Sequence, residues 1–288
     1  MLSRGRRRLT RIGQFGRAAS IVGVVADERQ ERKAQAFQAL HSGAPFVIPN
    51  PWDAGSARVL AALGFRALAT TSSGFAFTLG RLDGGVGLEE VAIHASALDA
   101  ATDLPVSVDL ENGYGAEPEA AARAVATIAE AGAVGASIED WDPDSGLYER
   151  AHAVERVAAA VAAARSLDFP FVLTARAENH IRGNPDLDDT IGRLQAFEAA
   201  GADVLYAPGL RMAGEIRAVT AAVSKPVNVL ARPDLSLEEI VGAGAQRVSV
   251  GGAVTWTAVG AFLEAATAIR DRGDFSLLRP SPPLRDWF

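Results

Sequence analysis

Eight short apolar runs, rich in β-branched residues, recur along the chain at 46–49, 67–71, 106–110, 136–139, 171–175, 204–207, 227–230 and 247–250. They are continuous apolar stretches more than polar–apolar alternations, the pattern of strands buried on both faces of a parallel sheet. Segments of helical period lie between them, at 56–63, 88–101, 117–131, 149–165, 187–200, 214–223, 237–242 and 257–270. Pro118 stands in a first turn, where helices tolerate it. Gly64, Gly132 and Gly201 follow three of these segments, as C-terminal caps do. Eight strand–helix units with short joins predict a (β/α)8 TIM barrel, an α/β fold. An open doubly wound sheet is the rival; eight regular repeats and the lack of an early Gly-x-Gly-x-x-Gly favour the barrel.

The barrel is expected at 36–275. Residues 1–35 form an expected basic extension, poorly ordered, with six arginines and no acid among the first twenty; 276–288 form an expected tail. The longest uncharged run, 248–263, is short of a membrane span. A net charge of −7 speaks against nucleic acid as the main partner. The chain has no cysteine, which excludes disulfides, thiolate metal sites and a cysteine nucleophile, and makes the cytoplasm the default compartment.

Active sites of such barrels lie at the C-terminal strand ends. Those positions read Asn50-Pro51-Trp52-Asp53, then Thr71-Ser72-Ser73-Gly74 with a long loop holding Asp83, then Asp109-Leu110-Glu111-Asn112-Gly113-Tyr114-Gly115. Glu139-Asp140-Trp141-Asp142 and Arg176-Ala177-Glu178-Asn179-His180 follow, with Asn228 near the seventh strand end and Gly251-Gly252 at the eighth. Asp83, Asp109, Glu111 and Glu139 thus converge from three consecutive strand ends beside Arg176. Four carboxylates in one mouth repel unless a cation sits among them. Hard oxygen donors without cysteine or clustered histidine point to Mg2+ or Mn2+. Tyr114 is a candidate general acid, His180 a candidate proton carrier at the rim, and Trp52 a wall of the mouth. His41, His94 and His152 are expected to be surface or packing residues.

The runs Val108-Asp109-Leu110-Glu111-Asn112-Gly113-Tyr114-Gly115, Ser137-Ile138-Glu139-Asp140 and Ala175-Arg176-Ala177-Glu178 resemble the isocitrate lyase/phosphoenolpyruvate mutase superfamily. Ser73-Gly74 and Leu79-Gly80-Arg81-Leu82-Asp83 fit its second-strand loop, and the resemblance spans about 40–275. It implies a Mg2+-dependent barrel that binds α-oxo or α-hydroxy acids and makes or breaks a C–C or P–C bond. It implies that Asp109 ligates the metal directly, with Asp83, Glu111 and Glu139 acting through water or one shell out. Ser73 and the Gly74 amide would hold the substrate carboxylate, and Arg176 the carboxylate or enolate oxygen. It further implies a homotetramer, a dimer of dimers, with the last helix exchanged between subunits.

The segment after the fourth strand departs from the family. Its lyases carry Lys-Lys/Arg-Cys-Gly-His there, and its phosphonate enzymes a Lys with Asn-Ser; here 141–148 has none of these and is expected to be a mobile lid. Decarboxylation needs no dedicated acid at the leaving group and survives this loss best. The leading expectation is a Mg2+-dependent lyase acting on a small oxo- or hydroxy-carboxylate through a pyruvate-type enolate, with Arg176, Glu139 and Tyr114 catalytic. Ser73, Gly74, Trp52, Arg176 and Asn228 are the expected substrate contacts. The alternatives are a P–C bond enzyme of the phosphoenolpyruvate mutase, carboxyphosphonoenolpyruvate phosphonomutase or phosphonopyruvate hydrolase type, or a non-catalytic carboxylate-binding barrel.

Overall fold

The computed structural model describes residues 27–283, with 285 and 287. Most of the expected 1–35 extension therefore lies outside the described residues. Its last part does not: α1, Glu28–Leu40, is a helix capped by Asp27, with Lys33, Ala34 and Phe37 buried. The boundary expected at 35 falls inside this helix, whose polar sequence hides the few residues it buries.

Along the chain follow β1 (Phe46–Ile48), α2 (Ala54–Ala62), β2 (Leu68–Ala69), α3 (Ser72–Thr78), α4 (Leu88–Ala101), β3 (Val106–Asp109), α5 (Pro118–Glu130) and β4 (Gly135–Glu139). A hairpin comes next, β5 (Trp141–Asp142) and β6 (Gly146–Leu147), and then α6 (Arg150–Arg165). The remainder is β7 (Val172–Arg176), α7 (Leu187–Ala199), β8 (Val204–Tyr206), α8 (Ala213–Ala222), β9 (Val227–Leu230), α9 (Leu237–Gly242), β10 (Arg247–Ser249) and α10 (Ala253–Arg272).

Eight strands pair in parallel in the order β1-β10-β9-β8-β7-β4-β3-β2. The last edge is bridged by the Ala69 amide donating to the Pro49 carbonyl at 3.1 Å, so the sheet all but closes into a barrel. Each of the eight apolar runs coincides with one strand to within a residue or two, because a parallel barrel strand is covered by side chains within and helices without.

α1 lies across the N-terminal strand ends. Its Phe37 presses on the start of β4, where a Cβ on Gly135 would come within 2.7 Å of the ring. Lys33 Nζ meets Asp99 Oδ1 at 2.6 Å and the Thr102 carbonyl at 2.7 Å, tying α1 to the end of α4. The opposite end of the chain is packed differently. Over its 20 residues α10 buries only Thr255 and Ala268 and leaves Trp256, Phe262 and Leu263 exposed, with Phe275 and Leu278 beyond it. No helix among the described residues is long and apolar enough to cross a membrane.

Candidate active site

The strand ends β2, β3, β4 and β7 bring Asp109, Glu139 and Arg176 together. Register does this directly, because Glu139 pairs with Arg176 and Ser137 with Asp109. The Arg176 guanidinium is gripped on three sides. It meets Asp109 Oδ1 at 2.8 Å, Glu139 Oε2 at 3.0 Å and Glu178 Oε1 at 2.8 Å. Burial opposes its charge, but the three carboxylates outweigh burial and raise its pKa above the ordinary arginine value. The guanidinium also lies 5.3 Å over the Tyr206 ring.

Glu178 and Arg182 are the site residues that motif reading passed over. Glu178 is fully buried, and its backbone N–H donates to Asp140 Oδ1 at 2.8 Å. Asp140 is held in turn by Arg193 at 3.0 Å. Arg182 reaches Glu139 Oε1 at 3.5 Å and Glu178 Oε2 at 3.3 Å and covers the Trp141 ring at 4.7 Å. The spacing of Glu178 and Arg182, one helical turn, was the available signal.

The loop after β3 is strained. Glu111 and Tyr114 adopt φ of 48° and 60°, rare for residues with a side chain. Gly113 between them has φ of 78°, and a Cβ there would meet Ala121 Cα at 3.0 Å. Arg156, buried in α6, fastens this loop by donating to the carbonyls of Asn112, Gly115, Ala116 and Glu117. The conformation presents Glu111 toward Asp109 and the Asp83 loop. Burial first, then the charges of Asp109 and Asp83, push Glu111 up to about 7, against the pull of Arg176 and Arg182. Burial likewise raises Glu139 above the usual carboxylate range, with Glu178 and Asp109 adding to it and the two arginines opposing.

A cavity of about 190 Å3 opens at these strand ends, lined by Ser73, Asp83, Asp109, Arg176, Asn228 and Arg247 among others. A side pocket beside it is lined by Glu111, Tyr114, Glu139 and Asp142. The Tyr114 hydroxyl is buried there without a hydrogen-bond partner.

Two expected contacts stand back from the cavity. The Gly74 amide is directed to the Thr71 side chain that caps α3, and Gly74 itself is buried against Trp52, where a Cβ would meet Trp52 Cβ at 3.2 Å. The absence of a side chain at Gly74 lets α3 approach, and Trp52 backs the wall without facing the opening. His180 also misses the cavity lining, which takes Ile181 from that turn. Gly252 lines the opening, and a Cβ there would lie 2.7 Å from Ser73 Oγ.

The 141–148 segment forms a hairpin of β5 and β6. Asp142 Oδ1 accepts from the amides of Asp144 and Ser145, and Oδ2 from Asn112 Nδ2 at 2.9 Å and the Tyr148 hydroxyl at 3.1 Å. The Asp142 carboxylate thus ties the turn together and joins it to the loop after β3.

Among the described residues no three acidic or histidine side chains converge into a ready-made metal cage. Magnesium does not need one: it keeps several waters and binds through one or two carboxylates. The donors here fit such an ion. Asp109 Oδ2 meets the Ser72 amide only at 3.4 Å, and a bound cation would relieve the repulsion that Asp109 and Asp83 add to the burial of Glu111.

The family model described as phosphoenolpyruvate phosphomutase matches residues 37–270. A Burkholderia cenocepacia J2315 protein of known structure, of the lyase/mutase kind but with its activity left open by its name, is 53% identical, with a TM-score of 0.87 over 91% of this chain and 96% of that one. An oxaloacetate decarboxylase from Rhodopseudomonas palustris (strain BisB5) is 32% identical over 82% of this chain and 84% of its own length. A solved oxaloacetate acetylhydrolase with the product oxalate is 28% identical, with a TM-score of 0.81 over 91% and 94% of the two chains.

Proposed function

The chain belongs to the phosphoenolpyruvate phosphomutase family, within the isocitrate lyase/phosphoenolpyruvate mutase superfamily, and from that premise we propose a Mg2+-dependent lyase acting on a small oxo- or hydroxy-carboxylate. The observation that carries this reading is the grip of Asp109, Glu139 and Glu178 on Arg176 at the cavity wall.

In this reading Asp109 would hold the divalent cation, with Asp83, Glu111 and Glu139 around it, and the bound cation would supply Lewis acidity toward an α-oxo oxygen. Ser73 and the first turn of α3 receive the substrate carboxylate. Arg176 offers a fixed positive charge where enolate charge develops, and its carboxylate partners prevent it from moving as that charge appears. The bond β to the carbonyl breaks, and its electron pair stays on the α-oxo fragment as a pyruvate-type enolate. The other fragment leaves as carbon dioxide or a carbonyl compound. Tyr114 Oη, buried and unpaired beside Glu111, is the candidate proton donor to the enolate carbon. Asp142 on the hairpin is engaged by its own turn. Decarboxylation asks least of that hairpin, and it is the activity of the Rhodopseudomonas palustris relative.

The assembly we infer is a homotetramer with α10 exchanged between subunits. The exposed Trp256, Phe262 and Leu263 are a large apolar stripe for a helix left in water. Light scattering should give close to four times 30.0 kDa. A monomer at micromolar concentration contradicts it.

Turnover of oxaloacetate with Mg2+ and with EDTA tests the activity. Carbon dioxide release that needs Mg2+ is expected. Phosphate release from phosphonopyruvate instead assigns P–C chemistry, and no turnover of any oxo- or hydroxy-acid assigns a binding barrel.

A further inference from the structure

A second guanidinium lies deeper in the same cavity. Arg247 opens β10, is 4% exposed and lines the cavity floor. Its Nε donates to Asn228 Oδ1 at 2.9 Å, one terminal nitrogen to Thr174 Oγ1 at 2.9 Å, and the other to His41 Nε2 at 3.2 Å. His41 Nδ1 lies 2.8 Å from the Phe37 carbonyl and so carries the ring proton, which leaves Nε2 as a neutral acceptor.

All three partners are neutral. Among the described residues Arg247 has no carboxylate within ion-pair distance, and burial lowers its pKa only to about 10, so it is charged at neutral pH. Of five guanidinium N–H groups three are engaged, leaving one on each terminal nitrogen. A full charge buried among neutral dipoles is costly, and a counter-charge that arrives with a ligand relieves it. Arg176 cannot take that role alone, because three acids already surround it. Along β7, Thr174 precedes Arg176 by two residues, about 7 Å at ~3.3 Å per residue. The two cations thus sit at different depths of one cavity.

We propose that Arg247 anchors the anionic group of the substrate that lies farthest from Asp109 and Arg176, and so selects acids long enough to reach the floor. Asn228, whose side chain is fixed between Arg247 and Ser249, positions the guanidinium. The proposal rests on the reading of the mouth as a carboxylate site. A two-carbon acid held at the mouth leaves Arg247 untouched; an acid with a second carboxylate three bonds further on reaches it.

Calorimetric titration of the full chain with Mg2+ present, using oxalate and L-malate as probes, tests this. Arg247→Gln should weaken L-malate by about 30-fold, the loss of charged hydrogen bonds, and leave oxalate within about twofold. Arg247→Lys, which keeps the charge without the fork, should fall between Gln and wild type for L-malate, again sparing oxalate. It serves alone if the Gln variant does not fold by its thermal midpoint. Equal weakening of both probes, or unchanged L-malate affinity in a folded variant, overturns the proposal. Oxalate binding without L-malate binding in the wild type overturns it and leaves the lyase reading intact. Loss of both probes in the wild type overturns both.

Discussion

Arg176 and Arg247 both look into the barrel, one near the C-terminal strand ends and one near the floor. Three carboxylates hold Arg176 within 3.0 Å, and the acids around it exceed its charge. Three neutral acceptors hold Arg247, and its charge is unanswered. The contrast gives the cavity a polarity along its axis. The mouth carries surplus negative charge, as the proposed cation site requires; the floor carries a lone positive charge, as the proposed anion anchor requires. A substrate arriving with a divalent cation would complete both ends.

The largest effect should come from emptying the mouth. Asp109→Ala should lower Mg2+-dependent turnover by about 10³-fold or more, on the order of 4 kcal/mol. Folding should be unchanged by circular dichroism, since the residue lies at the strand end. Tight Mg2+ binding by the variant removes Asp109 from the metal site. Next comes the fork at the mouth: Arg176→Lys keeps charge but not the planar geometry that meets three acids. It should reduce kcat/KM about 10²-fold, roughly 2.7 kcal/mol. Equal activity of variant and wild type removes Arg176 from the chemistry.

The two ends should also differ in pH dependence, a smaller effect. Burial pushes His41 down to about 3 and His94 to about 4. The unfolded chain takes up those protons near 6.5, while the folded chain does not. Their contribution to stability is therefore full above pH 6.5 and lost as pH falls toward 3 to 4. Glu111 at the mouth has the opposite sign. Held up to about 7, it binds a proton in the folded chain that the unfolded chain releases near 4.5, so its contribution declines as pH rises from 4.5 to 7. Urea unfolding between pH 5 and 7.5 in EDTA should show a shallower acid loss in His41→Gln and a steeper net rise with pH in Glu111→Gln. Identical profiles for both variants and wild type contradict this account of the two ends.

Much of the mouth was legible because its residues end consecutive strands. A run such as Val-Ser-Val-Asp places its acid at a strand end by counting alone, and register then brings Asp109, Glu139 and Arg176 into contact. The floor was not legible. Arg247 opens the eighth run, where nothing local says that its side chain enters the barrel, and its partners come from β7, β9 and the end of α1, up to 206 positions away. α1 was missed for a related reason: its polar sequence buries only Lys33, Ala34 and Phe37, and the ion pair of Lys33 with Asp99 spans 66 positions. The hairpin at 141–148 was not foreseen, because two acids, a proline and a glycine in eight residues read as a loop. Asp142 turns out to accept from its own turn and from Asn112 across the loop. Side-chain satisfaction of that kind depends on tertiary neighbours, and no local pattern encodes it.

The claim that the mouth takes a divalent cation together with a small carboxylate is tested most directly by titrating oxalate into the wild-type chain, once with Mg2+ and once with EDTA. The account predicts one oxalate per chain with Mg2+, at least about tenfold weaker binding in EDTA because the mouth acids then repel the anion, and one Mg2+ per chain when the metal is titrated into the oxalate-saturated protein. Oxalate binding of equal strength in Mg2+ and EDTA contradicts it.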